Sequence, residues 1–125
     1  MKFKTVMTIK ALVCLGFGPL LLFFPAWLLD LLGAEYCTGA AFTAREYGAA
    51  MVGILLMTWL ARNVDAGVAR RAICWNLFVY DAIGLVLTLV FLLSGRLNPL
   101  GWGIAAVYLF FTVGFGWLLL PKSSQ

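Results

Sequence analysis

Residues 72–93 read AICWNLFVYDAIGLVLTLVFLL, a run of 22 positions in which Asp81 is the only charged residue. A helix that crosses a bilayer needs about 20 mostly apolar residues, so this run is long enough to do so. Stretches of similar character lie at residues 5–24, 41–61 and 100–120. The sequence therefore predicts an all-α protein, an integral membrane four-helix bundle that forms a single transmembrane domain over residues 1–125.

The composition supports a membrane protein. Of the 125 residues, 64% are apolar and only 11% are charged, with a net charge of +4. Soluble domains average about half apolar and about a quarter charged residues. The difference excludes an ordinary soluble enzyme, a disordered protein and a nucleic-acid binder. The lipid bilayer is the expected partner.

The amino-acid types and motifs that are absent from the sequence limit the reactions that the protein can catalyse. The chain has no histidine, which excludes His-ligated metals and haem and His-based acid–base catalysis. Its cysteines, Cys14, Cys37 and Cys74, include no C-x-x-C pair, which argues against disulfide exchange. Cys14 and Cys74 are expected in the core, whereas Cys37 lies in a loop and can be a free thiol. We find no catalytic motif, metal site or cofactor motif, so the sequence predicts no enzyme.

Prolines and glycines divide the chain. The basic N-terminus before the first apolar run resembles a signal peptide, but no clear cleavage site follows, so we expect a retained first span. Pro19 removes a backbone hydrogen bond within that span, which should kink it and can open a lipid-accessible pocket. Residues 25–33 predict a short interfacial helix, because Pro25 suits a helix start, Trp27 the headgroup level and Gly33 a C-terminal cap.

Loop charges orient the predicted bundle. Arg45 and Arg96 fall on one side, and the side with both termini holds Lys2, Lys4, Lys10, Arg62, Arg70, Arg71 and Lys122. Cytoplasmic loops carry the excess of Lys and Arg, so both termini are predicted to be cytoplasmic. Lys10 is expected to snorkel to that surface. The five tryptophans, all at span ends, fit two aromatic belts.

Asp81 is the most informative polar residue, because it lies near the predicted midplane. An aspartate there costs about 2.5–3.5 kcal/mol on insertion scales and must face the interior, a partner or water. With Asn76, Tyr80 and Thr88 it forms a polar seam along one helix. The seam can be a ligand, ion or proton site, a structural network that fixes helix register, or a neutral aspartic acid bonded to a carbonyl.

Arg45 and Glu46 lie near the start of the second predicted span. Arg45 shares a helical face with small residues, which favours a side chain inside the bundle, and the alternative is a snorkelling arginine at the headgroups. Glu46 is expected to be an interfacial acid in contact with water. Arg45 can pair with Asp81 only if a long side chain or a kink closes a depth difference of about 9 Å.

Several segments resemble a family of small bacterial four-span membrane proteins, the DoxX-like proteins. They are AREYGAA at 44–50, WLAR at 59–62, ARRAI at 69–73 and GW at 101–102, together with the segment 25–33. The resemblance covers nearly the whole chain through loose motifs. It implies the four-span fold and a bacterial inner membrane, and it associates the chain with quinone-linked redox chemistry without carrying over any catalytic residue.

Three functions remain open from the sequence. The first is a helical packing and interaction module that joins a homo-oligomer or a larger membrane complex, which the faces of small residues favour. The second is a small oligomeric transporter whose site uses Asp81 with Arg45 as counter-charge. The third is a quinone- or lipid-binding accessory, suggested mainly by the resemblance.

Overall fold

The protein is all-helical, as the sequence predicts. A computed structural model describes residues 2–35 and 37–120. These residues form five helices and no strand: α1 (Phe3–Phe23), α2 (Pro25–Leu31), α3 (Thr38–Leu60), α4 (Val68–Leu93) and α5 (Gly101–Leu119). Helix α4 begins four residues before the expected span. Pro121, expected to stop the last span, and Lys122, counted as a cytoplasmic charge, lie outside the described residues.

Three of the helices can cross a membrane by their length and composition. They are α1, α4 and α5, with mean hydropathies of 2.0, 2.1 and 1.7. Helix α3 has 23 residues but is not among them, because Arg45 and Glu46 lower its hydropathy. The outward faces of the bundle carry large exposed apolar side chains, among them Leu12, Leu15, Ile83, Val86, Leu109 and Val113. A surface of this kind suits contact with lipid better than contact with water.

The helices pack as two pairs, α1 with α3 and α4 with α5. In the first pair the backbones meet at Gly48, where a Cβ would lie 2.6 Å from the backbone nitrogen of Leu22 and 2.8 Å from the carbonyl oxygen of Gly18. In the second pair Gly84 lies beneath the ring of Tyr108, which a Cβ would overlap. Small residues therefore set the closest approach within each pair, as is common between membrane helices.

One end of the bundle is filled by side chains from α1, α4 and α5. We call it the closed end, and its buried residues are Phe3, Val6, Met7, Cys74, Leu77, Phe111, Phe115 and Leu118. The guanidinium carbon of Arg70 lies 4.4 Å from the centre of the Phe3 ring and covers this end. The N-terminal half of α1 thus packs against α4 and α5 of the second helix pair as well as against α3.

Helix α2 crosses the other end of the bundle. Pro25 occupies its first position, as predicted, and Gly33 follows it with a φ of 72°, the left-handed conformation that favours glycine. The amide of Asn98, in the turn between α4 and α5, donates to the Leu31 carbonyl at 2.8 Å, and the Asn98 backbone N–H donates to the Leu32 carbonyl at 3.0 Å. These bonds attach α2 to the second helix pair.

Candidate functional site: an apolar cavity with a polar floor

A partly enclosed cavity of about 510 Å³ lies between the two helix pairs, beneath α2. Its volume falls within the range of small-molecule sites, roughly 300–1,000 Å³. Most of its wall is apolar: Val13, Phe17 and Leu21 from α1, Leu28, Leu29 and Leu32 from α2, Ala40, Ala44 and Met51 from α3, and Ile104 and Val107 from α5. We call this half of the bundle the open end. On α1 the lining residues flank Pro19, although α1 is a continuous helix through that proline.

Four polar side chains meet where the cavity borders the closed end. Lys10 comes from α1, Tyr47 from α3, Tyr80 from α4 and Tyr108 from α5, and all four line the cavity. We call this set the polar floor. Each side chain comes from a different helix, so the polar floor joins the two pairs at the middle of the bundle. The remaining polar lining residue is Thr43.

Lys10 forms a buried ion pair with Asp81. Its Nζ lies 2.7 Å from Asp81 Oδ1, and the two side chains are 3% and 0% exposed. Within the described residues, Asp81 Oδ2 is buried without a hydrogen-bond partner. The expectation that Lys10 snorkels to the surface is therefore wrong. Helix α1 begins at Phe3, which places Lys10 about 10 Å along the helix, and its side chain extends to the buried carboxylate instead of the surface.

The three tyrosine hydroxyls form a cluster beside this ion pair. Tyr47 Oη is hydrogen-bonded to Tyr80 Oη and, at 2.6 Å, to Tyr108 Oη. The ring centres of Tyr80 and Tyr108 are 6.3 Å apart, in an edge-to-face arrangement. Nζ of Lys10 lies 4.9 Å from the centre of the Tyr80 ring and 4.6 Å from that of Phe111, so both rings face the cation.

The structure brings together only part of the predicted polar seam. Asp81 is buried and Tyr80 is in the polar floor, but Asn76 is exposed on the outside of α4. Thr88 is buried and donates to the Gly84 carbonyl of its own helix at 2.7 Å. The seam is therefore interrupted, and of its members Tyr80 lines the cavity and Asp81 pairs with Lys10.

Arg45 and Glu46 lie outside the site. Both side chains are exposed on α3, so the interior interpretation of Arg45 is wrong and the snorkelling interpretation stays a prediction. Within residues 2–35 and 37–120, Lys10 is the basic residue that pairs with Asp81. The sequence left open a pairing of Arg45 with Asp81, and the structure has a pair between α1 and α4 instead.

Sequence reasoning missed three members of the polar floor: Lys10, Tyr47 and Tyr108. Tyr108 is seven residues into α5, and Tyr47 is nine residues into α3. A tyrosine at such depth lies away from the interfacial belt and needs a partner for its hydroxyl. An ionisable residue inside a span likewise indicates a buried partner. These two signals were present in the sequence and could have identified the residues.

The cysteines are placed as the sequence predicts. Cys14 and Cys74 are buried and free, and Cys37 is exposed and free. Cys37 precedes α3, where its Sγ accepts a weak hydrogen bond from the backbone N–H of Ala40 at 3.4 Å. Cys37 is therefore a native probe of the end of the bundle that carries α2.

Comparisons with family models, with curated proteins and with solved structures found no match to this chain. The DoxX-like resemblance therefore stays a prediction. What can be said of function rests on the cavity, on the polar floor and on the apolar surface of the bundle.

Proposed function

We propose that the protein is a four-span integral membrane protein that binds one lipid-like molecule in the cavity of the open end. The observation that supports this proposal most strongly is a cavity with a mostly apolar wall and four polar side chains grouped at one point. Binding sites for small molecules have this composition, because the apolar wall provides affinity and a few placed polar groups fix orientation. The proposal includes no catalytic step.

Helix α3 is the proposed fourth span. Its 23 residues reach about 34 Å, which exceeds a hydrocarbon core of about 30 Å. It packs along α1, whose own composition suits a span, and Ile54 and Met57 reach the closed end. A helix that follows a membrane span in this way lies at the same depth, and Arg45 can extend along it to the headgroups.

The proposed location is the inner membrane, with both termini in the cytoplasm. Lys10 is buried and no longer counts as a loop charge, which leaves six basic residues on the terminal side against two on the side of α2. The bias still favours cytoplasmic termini. In this orientation the cavity lies in the outer half of the membrane, and α2 lies at the outer surface.

Cys37 offers a direct test of this orientation. A membrane-impermeant maleimide added to intact spheroplasts should label wild-type protein at Cys37 and should not label Cys37→Ser. Ala66→Cys in the Cys37→Ser background is the matched control, because Ala66 is exposed in the loop at the opposite end. It should become labelled only after lysis. Labelling of Ala66→Cys in intact spheroplasts would contradict the orientation.

Binding is tested with a defined probe, methyl palmitate, on protein purified in mild detergent. A ligand that binds only folded protein raises its melting temperature in a concentration-dependent way. Ala44→Phe adds a ring to a residue that lines the cavity and should abolish the shift, whereas Ala50→Phe on the exposed face of the same helix should leave it unchanged. Equal shifts in wild type and Ala44→Phe would overturn the proposal.

A packing and interaction module is the second candidate function. Gly16, Gly53 and Gly103 face open space, and a Cβ at any of them would meet nothing within 4 Å. Outward-facing glycines allow another helix to approach closely, either from a second copy of the chain or from a larger complex. If this function dominates, Gly53→Leu should dissociate an oligomer that native mass spectrometry detects for the wild type. A monomeric wild type would argue against it.

The transporter and quinone-accessory hypotheses use the same cavity. A transporter would need Asp81 to be reached from both sides of the membrane, and in this structure its pairing partner is Lys10 instead of Arg45. Proton-coupled flux in proteoliposomes that is unchanged by Asp81→Asn would exclude Asp81 from any transport role.

A further inference from the structure

The tyrosine cluster of the polar floor offers a ligand acceptors but no donor. Tyr47 is hydrogen-bonded to Tyr80 and to Tyr108, and Tyr80 and Tyr108 are also hydrogen-bonded to each other. Three hydroxyl protons thus serve three bonds, so each hydroxyl donates one bond and accepts one. A hydroxyl oxygen has two lone pairs, and each phenol oxygen therefore keeps one that no described residue uses. All three tyrosines line the cavity, so a ligand there meets acceptors.

Lys10 supplies the donor that the tyrosine cluster lacks. Its ammonium has three N–H groups, and one of them donates to Asp81 Oδ1. Asp81 Oδ2 is buried and has no partner among the described residues. Even if Oδ2 took a second N–H, the third would have no oxygen acceptor. The rings of Tyr80 and Phe111 face Nζ, but a ring is a weaker acceptor than an oxygen. Because Lys10 lines the cavity, at least one N–H remains for a ligand.

The charge at the polar floor is already balanced. Lys10 lines the cavity, and its counter-ion Asp81 is fully buried behind it. An anionic head group would place two negative charges around one cation, and a cationic head group would approach an ammonium. Either charge would also have to leave water for an apolar cavity, which is costly without its own partner. The polar floor therefore favours a neutral head group.

We infer that the cavity selects an apolar molecule whose polar end is a neutral group that both accepts and donates a hydrogen bond, of which a hydroxyl is the smallest. This inference rests on the proposed function. The head group accepts the remaining N–H of Lys10 and donates to a phenol oxygen of the tyrosine cluster. An ether can only accept and so uses Lys10 alone, and a hydrocarbon uses neither partner.

The test uses five probes with the same sixteen-carbon chain: 1-hexadecanol, hexadecyl methyl ether, hexadecane, hexadecyl phosphate and 1-aminohexadecane. Binding to purified protein is measured by native mass spectrometry at neutral pH, with Ala44→Phe as the blank for partition into detergent. The alcohol should bind about fivefold more tightly than the ether, as expected for one net hydrogen bond. The ether should bind about tenfold more tightly than hexadecane, because its acceptor meets a charged donor. The phosphate and the amine should bind more weakly than the alcohol.

Two variants separate the donor from the acceptors. Lys10→Met/Asp81→Leu removes the ammonium together with its counter-ion, so no unpaired charge stays buried. In this double variant the ether and hexadecane should bind alike, whereas the alcohol should keep its preference of about fivefold over the ether. Thr43→Val is the matched control, because Thr43 is the polar lining residue outside the polar floor, and it should leave both preferences unchanged. Retained hexadecane binding reports an intact cavity in each variant.

The failures of the two proposals are distinguishable. Three results would overturn the head-group inference and leave lipid binding in place: an ether, phosphate or amine that binds the wild type as tightly as the alcohol, an advantage of the ether over hexadecane that persists in the double variant, or a preference for the alcohol that Thr43→Val abolishes. If the double variant does not fold, the five probes on the wild type and on Thr43→Val still decide the inference. Absence of binding above the Ala44→Phe blank for all five probes would overturn the proposed function itself.

Discussion

The two ends of the bundle are built from the same helices but are packed differently. At the closed end α1 contributes Phe3 and α5 contributes Phe111 and Phe115, each at most 1% exposed. At the open end the apolar lining residues of α5 are the smaller Ile104 and Val107, and α3 offers small residues such as Ala44. The difference in side-chain volume leaves one end filled and the other with a cavity.

The polar floor lies at the boundary between these ends. Buried polar groups are costly unless they are hydrogen-bonded. The filled closed end keeps water away from the polar floor on the side opposite the cavity. Together with the proposed function, the comparison predicts a division between the two ends. The closed end stabilises the folded protein, and the open end binds the ligand. The predictions below test this division, from the largest expected effect to the smallest.

Truncating an aromatic side chain should cost far more at the closed end. Phe115→Ala removes a side chain that is 0% exposed and should lower the free energy of unfolding by about 3–5 kcal/mol. Phe17→Ala enlarges an existing cavity and should cost less than about 1.5 kcal/mol, since its ring is only partly packed. Unfolding in mixed detergent micelles measures both, with the exposed Phe110→Ala as control. Equal costs at Phe17 and Phe115 would contradict the division.

The ion pair between the ends should show strong coupling. Asp81→Leu leaves the Lys10 ammonium buried without its partner and should cost about 3–5 kcal/mol. The double variant Lys10→Met/Asp81→Leu removes both charges and should recover most of that stability, because an apolar pair of similar volume replaces them. The same unfolding assay and a double-mutant cycle measure the coupling. Additive losses would show that the two residues act independently.

The close approach of α1 and α3 depends on Gly48. A Cβ at this position meets backbone atoms of α1, so Gly48→Ala should separate the helices and cost about 1–3 kcal/mol. Gly53→Ala is the matched control on the same helix, because its Cβ meets open space, and it should leave stability unchanged or raise it by up to about 1 kcal/mol, since alanine is the better helix former. If Gly53→Ala is as destabilising as Gly48→Ala, the contact of a Cβ with the α1 backbone does not explain the effect, and helix propensity does not explain it either because alanine is the better helix former.

The attachment of α2 should have the smallest effect on global stability. Asn98→Ala removes the side-chain bond to the Leu31 carbonyl and the one accepted from the Leu100 N–H, at 2.8 and 3.1 Å, and should cost about 1 kcal/mol. Amide hydrogen exchange should accelerate in α2 and remain unchanged at the closed end. Ser94→Ala, which removes only a 3.3 Å bond within the end of α4, is the control. Faster exchange at the closed end in Asn98→Ala would mean that the two ends are not separable.

Local chemistry made much of the fold predictable. Pro25 and Gly33 bound α2 because each favours a particular backbone conformation, and burial of Asp81 follows from the cost of exposing a charge to lipid. These inferences need no knowledge of which helices are neighbours.

The site was less predictable, because it depends on which helices face one another. The sequence shows that Asp81 must avoid lipid but not which helix faces it. It offers Arg45 of α3 as a possible partner and places Lys10 of α1 at the surface, whereas the structure pairs Asp81 with Lys10. The meeting of Tyr47, Tyr80 and Tyr108 likewise depends on helix rotation and crossing. The cavity arises from the difference in side-chain volume between the two ends, which appears only after the helices are packed.

The most direct test of the central claim is native mass spectrometry of the protein released from its own membrane in mild detergent. The account predicts one defined small molecule retained per chain in the wild type and in Ala50→Phe, and none in Ala44→Phe, since only that ring enters the cavity. Identical adducts in all three proteins would contradict the account, because the bound molecules would then lie on the outer surface.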